Sequence, residues 1–257
     1  TSHKYRDWIL RLRGTGHAPR VDMHMAIVES CDVYFYDLAR RLTIDGMADY
    51  LRPFGFGELT QVDTTNERRG VLPSTRWKRE AMGQPWYPGE TISAGIGQGY
   101  MLASPMQLAH ATAILASRGV GPTPRLVQSI DGVPLEPALL EPMVAPAEYW
   151  DAVYQGMIDV VHTQRGTAKA LAQGIRYTMA GKTGTAQVIG IAQGAVYKEE
   201  HVAERHRHHG LFIAFAPAEA PTIAMAIIVE NGGGSSAASP IARKVIDNWL
   251  FGEAGDG

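Results

Sequence analysis

The sequence has a single cysteine, Cys31, in 257 residues, so no disulfide can form within the chain. That leaves its compartment open, since exported proteins need not carry disulfides. It also lacks an apolar run of the ~18 residues that a helical membrane span needs. The longest apolar stretches, near 211–216 and 222–229, have the length of strands. Neither sign of charge prevails: 24 Lys and Arg against 26 Asp and Glu give a formal net charge of −2. So balanced a chain has no electrostatic footprint for nucleic acid, and no nucleic-acid partner is expected. Repeats and Ser- or Gly-rich linkers are missing, so residues 1–257 are read as one domain or most of one. The first residues, TSHKYRDW, have no initiator Met, basic stretch or apolar stretch, which excludes a signal peptide. They do not look like a natural beginning, and the expectation is a fragment of a longer chain. What is present is 45% hydrophobic and 19% charged residues, with 28 Gly and 15 Pro. These proportions exclude a disordered chain, and the Gly and Pro lack the period of collagen.

Hydrophobic patterning places helices first and strands later. Asp22 can cap a helix whose apolar side includes Met23, Ala26 and Ile27. The pattern resumes at Val33 and runs to Leu42, and periodicity does not settle whether residues 30–32 interrupt it. A further short helix is expected over 46–51, ended by Pro53 and Gly55. Residues 56–99 are rich in turn formers, carry little period and read as a long irregular stretch of the kind that tends to hold function. Ser104 and Pro105 open the strongest helix, which runs to Leu115 and is closed by Gly119. Helices are also expected over 146–162 and, briefly, over 167–171. Residues 177–189, 210–216 and 222–229 read as strands, the last two as a hairpin. A helix over 239–251, with Pro240 at its first position, closes the chain. Helices, then antiparallel strands, then a helix make an α+β domain with an antiparallel sheet flanked by helices, rather than alternating βα units.

The strongest chemical signal is Lys182-Thr183-Gly184-Thr185. A phosphate-binding loop would need Gly five residues before Gly181, where Arg176 stands. A plain strand with a surface lysine is the bland alternative. Small and hydroxylated residues on the strand favour a binding edge instead. Gly184 lets a substrate lie against it, and Thr183 and Thr185 can donate to a carboxylate held beside the Lys182 ammonium. Ser30-Cys31-Asp32 alone is nearly uninformative, because such triplets are common in turns and caps. Residues 95–99, GIGQG, are no dinucleotide fingerprint, since Tyr100 stands where the last Gly should be. They read as a tight turn leading to the Ser104 helix, with a role for Gln98 in shaping a cleft from behind as the alternative. Asp7, His17 and Cys31 offer a carboxylate, an imidazole and a thiolate, a set that suits Zn²⁺. As a neutral residue, Cys31 is simply small and buried. His201, His206, His208 and His209 look like a metal tract, but Arg205 and Arg207 among them favour a solvated loop bordering the cleft. Trp77, Trp86 and Trp150 read as packing residues.

Taken together, the two triads form two of the three elements of penicillin-binding enzymes, which use S-x-x-K, S-x-[DN] and K-T-G. The chain resembles the C-terminal part of class B penicillin-binding proteins of the type that serves elongation in Gram-negative rods. The resemblance is carried by ESCDVYFYDLA (29–39), PWYPGETISAGIGQGYMLASPMQLAHA (85–111), GTA (166–168), AGKTGTAQV (180–188), HGLFIAFAP (209–217) and VENGG (229–233), and covers nearly the whole chain. One departure stands out: no serine here has a lysine three positions later. The resemblance therefore implies a transpeptidase fold, similar to that of β-lactamases, that is incomplete at its N-terminal side. The nucleophile, a membrane anchor and the first sheet strands would lie upstream. The chain alone is then expected to be inactive and to fold poorly.

The resemblance implies the chemistry of a serine-type D-Ala-D-Ala transpeptidase, with an acyl-enzyme and no cofactor for catalysis. Ser30 would relay a proton, and Asp32 would hold Ser30 and the substrate amide. Lys182 would attract the terminal carboxylate, and the Thr185 N–H would form half of an oxyanion hole. It further implies stem peptides ending in D-Ala-D-Ala and β-lactams as ligands, membrane proteins of the elongation complex as partners, and a place at the periplasmic face of the inner membrane. Some members carry a structural zinc near the second triad, which would use Asp7, His17, Cys31 and an upstream Asp. A β-lactam sensor or non-catalytic binding module is the rival of another class, as is a pure scaffold. A serine β-lactamase is a further alternative, against which the GIGQGY segment argues.

Overall fold

Asp22 opens helix α1 (Met23–Glu29) by accepting the Met25 N–H at 2.8 Å. The computed structural model describes residues 20–136, 138–188 and 202–252, and α1 is the first element in it. It ends at Ser30, whose left-handed backbone (φ 55°, ψ 55°) turns the Ser30 N–H back to the carbonyls of Ala26 and Ile27. Helix α2 (Asp32–Leu51) restarts at Cys31. The triplet therefore does interrupt the helical pattern. Its serine caps one helix and its aspartate opens the next, where a carboxylate suits the N-terminal dipole. The helix expected over 46–51 is the last part of α2, beyond a break at Thr43 (φ 64°, ψ 164°). There the Thr43 hydroxyl accepts the Gly46 N–H at 3.4 Å and restarts the turn.

Residues 56–99 are less irregular than their composition suggests. They contain α3 (Thr75–Met82) and α4 (Pro88–Ala94). Ser74 caps α3 through the Trp77 N–H at 3.0 Å, and Pro88 sits at the start of α4. Helices of eight and seven residues are too short for periodicity to show. The side chains that join them hold them in place. Lys78 of α3 is 1% exposed and ion-pairs with Glu90 of α4. The Lys78 ammonium also lies 4.5–5.7 Å from the ring centres of Tyr87, Trp86 and Tyr100.

Helix α5 (Pro105–Ala116) begins in a capping box: Ser104 Oγ accepts the Gln107 N–H at 3.1 Å and Gln107 Oε1 accepts the Ser104 N–H at 2.9 Å. Gln107 is fully buried, and its amide N–H groups are shared by the carbonyls of Gly55, Glu58 and Arg69 at 2.8–3.1 Å. One side chain thus ties two turns of the 55–69 loop to α5. Gln107→Ala is expected to cost about 2–3 kcal/mol, because the stranded carbonyls stay buried. Urea unfolding of the complete protein measures it.

A small hairpin that the sequence did not announce, β1 (Ser129–Ile130) and β2 (Val133–Pro134), turns through Asp131 and Gly132. Helix α6 (Ala147–His162) follows as expected, and a 3₁₀ turn over Lys169–Ala172 replaces the short helix expected at 167–171. The sheet then forms from β3 (Ala180–Ala186), β4 (His209–Ala216) and β5 (Ile223–Val229), antiparallel in the order β3-β4-β5. Lys182 pairs with Ile213 and Thr185 with Gly210 across β3 and β4. The core collects Met157, Val160 and Val161 of α6, Phe212 and Phe215 of β4, and Ala238, Ala242 and Ile246 of the closing helix α7 (Ser235–Phe251). The Phe215 ring meets Tyr154 of α6 at 4.7 Å. Alternation along paired strands then puts Lys182 on the same face as Phe215.

One boundary needs correction. Helix α7 starts at Ser235, so Pro240 lies inside it, not at its first position. Pro240 forgoes one helical hydrogen bond. The burial of Ala238 just before it and Ala242 just after it outweighs that loss and draws the preceding turn into the helix. Among the described residues no helix is long and apolar enough to cross a membrane.

Candidate active site

The fold brings the two triads together. Lys182 Nζ donates to Ser30 Oγ at 2.8 Å across 152 residues of sequence. The same ammonium donates to the Thr183 carbonyl at 2.9 Å and stands 3.5 Å from the Thr183 hydroxyl. Ser30 reaches Lys182 because the left-handed turn between α1 and α2 lifts its hydroxyl toward β3. Lys182 reaches Ser30 because strand alternation sends its side chain to the face that α6 covers.

Burial dominates the electrostatics here. Desolvation lowers the Lys182 pKa from 10.5 to about 8, and the nearby Asp32 carboxylate, at the first turn of α2, pulls it back upward. The lysine is thus a cation at neutral pH that releases its proton far more readily than a surface lysine does. Such a group can hold a carboxylate and exchange a proton with a neighbouring hydroxyl.

Gly184 and Thr185 complete the edge. A Cβ at Gly184 would lie 3.3 Å from the Leu211 Cβ, on the Lys182 face of the strand, so the glycine keeps that side low beside the ammonium. Thr185 is exposed, and β3 is the outer strand of the described sheet. Of the predicted site residues, Ser30, Asp32, Lys182, Thr183, Gly184 and Thr185 thus lie in one cluster.

Thr167 and Arg165 had no role assigned from sequence, and Gln98 only the alternative one of shaping a cleft from behind. Thr167 Oγ1 lies 2.8 Å from Thr183 Oγ1, and the Thr167 N–H donates to the Val28 carbonyl at 3.3 Å. Arg165 ion-pairs with buried Glu29, directly before Ser30. Gln98 Nε2 donates to the Thr185 carbonyl at 2.7 Å, and Gln98 Oε1 accepts the Gln187 N–H at 3.2 Å. The GTA and GIGQGY strings were visible in sequence, but only the fold shows that both touch β3.

Asp7 and His17 lie outside the described residues, as does His201. Cys31 is 3% exposed at the start of α2. Among the described residues no group of three or more His, Cys, Asp or Glu could hold a metal ion. The histidine segment needs correction too. His206 is exposed, but His208 is 5% exposed, and burial lowers its pKa. His208 Nδ1 accepts the Val188 N–H at 3.2 Å and His209 Nδ1 the Asn231 N–H at 2.9 Å. Both imidazoles cap backbone at the far end of β3 and β4, which a solvated loop would leave to water. Trp150 is buried, and Trp77 and Trp86 pack on Tyr100, as packing residues should.

Comparison with known proteins bears on the family and the fold. The family described as "Penicillin binding protein transpeptidase domain" matches residues 2–247. Peptidoglycan D,D-transpeptidase MrdA of Acinetobacter baumannii is 44% identical over 97% of this chain, which spans 37% of that protein. Penicillin-binding protein 2 of Pseudomonas aeruginosa, solved with WCK 5153, superposes with a TM-score of 0.82 at 42% identity, covering 99% of this chain and 54% of the other. The Helicobacter pylori protein of the same name, solved with MreC, also gives 0.82, at 34% identity, over 98% of this chain and 43% of the other.

Proposed function

Because this chain belongs to the family of penicillin-binding protein transpeptidase domains, we propose that residues 1–257 form the C-terminal part of one domain of a peptidoglycan D,D-transpeptidase that cross-links stem peptides during cell elongation. The observation that carries the reading is the bond from Lys182 to Ser30, which joins the two triads at hydrogen-bond distance. A lone K-T-G strand would not place a serine hydroxyl against its lysine.

In this reading a serine outside the 257 residues attacks the D-Ala-D-Ala carbonyl and forms an ester while D-Ala leaves. Ser30 passes the proton to the departing amine and later takes one from the incoming amine. Asp32 steadies that exchange from the first turn of α2. Lys182, a cation held low by burial, draws the terminal carboxylate onto Thr183 and polarises Ser30. The Thr185 N–H donates to the oxyanion. β-Lactams, which mimic the D-Ala-D-Ala terminus, occupy the same contacts. The work is placed at the periplasmic face of the inner membrane. Membrane proteins of the elongation complex are the partners proposed there; the Helicobacter pylori relative was solved with MreC. A structural zinc held by Asp7, His17 and Cys31 belongs to the same proposal, since a buried thiol within the second triad suits a held sulfur. Metal content of the complete protein tests it, and a protein without zinc removes that element.

Release of D-Ala from a D-Ala-D-Ala peptide, with transfer of the acyl group to an amine, separates an enzyme from a sensor. Stable acylation by penicillin without any release of D-Ala favours the sensor. Ser30→Ala in the complete protein is expected to slow acylation by a fluorescent penicillin about 10²-fold, the low end for a lost proton relay. An unchanged rate removes Ser30 from the mechanism.

A further inference from the structure

The side-chain amide of Gln98 treats β3 as a neighbouring strand would. Its N–H goes to the Thr185 carbonyl at 2.7 Å and its oxygen receives the Gln187 N–H at 3.2 Å. These two groups flank Ala186 in the pattern that one residue of a parallel strand makes with its partner. They face away from β4, because the ladder to β4 uses the alternate residues. Gln98 thus occupies the outer edge of β3 directly after the residue whose N–H serves as oxyanion donor. Within one strand residue the N–H and the C=O point to the same edge. Fixing the Thr185 carbonyl therefore fixes the direction of the Thr185 N–H.

The turn that carries Gln98 is built to hold this pose. Gly97 and Gly99 adopt φ of 73° and 70°, which side chains rarely accept, and so Gln98 stands between two left-handed turns. The Gln98 N–H donates to the Ser93 carbonyl at 2.9 Å, at the end of α4. Tyr100, two residues on, meets the Trp77 ring at a tilt at 5.4 Å and the Trp86 ring edge-on at 6.1 Å, beside the Lys78–Glu90 pair. The amide is thus anchored from a rigid cluster, not from β3 itself.

We propose that Gln98 is a positioning residue: by closing the edge of β3 just past Thr185, its amide aims the Thr185 N–H at the reacting carbonyl and marks where a bound peptide must stop pairing with the strand. This inference rests on the transpeptidase reading and deepens it. It separates Gln98 from a residue that merely fills space, because the two hydrogen bonds need a donor and an acceptor in fixed places.

The test uses the complete protein and a fluorescent penicillin, resolving the first-order acylation rate from the dissociation constant of the preceding complex. Gln98→Ala is expected to lower the rate about 10- to 100-fold, somewhat less than removal of an oxyanion donor, and to change the dissociation constant by less than about threefold. Gln98→Glu keeps the shape but, when ionised, offers no donor to the Thr185 carbonyl. Its rate relative to wild type is expected to be low at pH 7 and to rise about tenfold toward pH 5 as the carboxyl gains a proton. Taking the ratio cancels the shared dependence on Lys182. Thermal melting of both variants confirms that they are folded. Rates within twofold of wild type for folded Gln98→Ala, or a ratio for Gln98→Glu that stays flat with pH, overturn the inference. A wild-type protein that takes no penicillin overturns the transpeptidase reading itself, and the inference with it.

Discussion

Replacing Lys182 with Met in the complete protein is expected to lower penicillin acylation by about 10³-fold or more, because one substitution removes both the carboxylate anchor and the partner of Ser30. The same variant is expected to be slightly more stable than wild type at pH 7. Burial lowers the Lys182 pKa from 10.5 to about 8, which corresponds to roughly 3 kcal/mol of stability forgone when the charged lysine is buried. The sign follows from proton binding. A folded pKa below the unfolded one makes the penalty absent above about pH 10.5. It grows as the pH falls toward about 8, and is complete at pH 7. Methionine fills similar space and carries no charge. It gives up the bonds to Ser30 and the Thr183 carbonyl, at about 1 kcal/mol each, so the net gain is about 1 kcal/mol at pH 7 and shrinks as the pH rises. Thermal denaturation at pH 7 and pH 9.5, run beside acylation kinetics, reads both effects. A Lys182→Met protein that is less stable at pH 7 would show that the lysine serves the fold as well as the reaction.

The largest loss of stability is expected at Lys78, which belongs to neither triad. Lys78→Ala should cost about 3 kcal/mol or more. It leaves the Glu90 carboxylate without its cation and opens a void among Trp86, Tyr87 and Tyr100. Desolvation raises the Glu90 pKa, but the Lys78 ion pair and the Tyr87 N–H pull it, on balance, below the ordinary 4.5. The contribution of the pair is therefore present above about pH 4.5 and is lost as the pH falls below it. The double variant Lys78→Met, Glu90→Gln keeps volume and removes both charges, so it should cost clearly less than Lys78→Ala alone. Denaturant unfolding of the two variants decides this. Equal costs would mean that the cavity, not the stranded charge, sets the price. Since α3 and α4 carry the turn that holds Gln98, Lys78→Ala should also slow acylation.

The helices and the antiparallel strands were legible in sequence wherever an element was long or capped by its own residues. Asp22, the Ser104-Pro105 pair and the apolar runs of 210–216 and 222–229, parted by Pro217 and Pro221, each act through neighbours a few positions away, so they are readable locally. Helices α3 and α4 were hidden because each is short and relies on the other through Lys78 and Glu90. Helix α7 begins before Pro240 because burial of Ala238 and Ala242 in the core outweighs a local rule. The candidate site divides in the same way. Ser30, Asp32 and Lys182 to Thr185 could be named from sequence because their chemistry is written in residue type and order. Gln98 could be named only as the alternative that shapes a cleft from behind, and Thr167 and Arg165 not at all, since a glutamine, a threonine and an arginine gain a role only from what they touch. By itself the sequence determined an α+β domain and which side chains could do the chemistry. Only the tertiary structure decided that Ser30 meets Lys182, that burial brings that lysine to a pKa of about 8, and that Gln98 closes the strand edge. The physical reason is range. Capping and periodicity act over a few residues, whereas desolvation and hydrogen bonding across 87 or 152 residues exist only after the chain has folded.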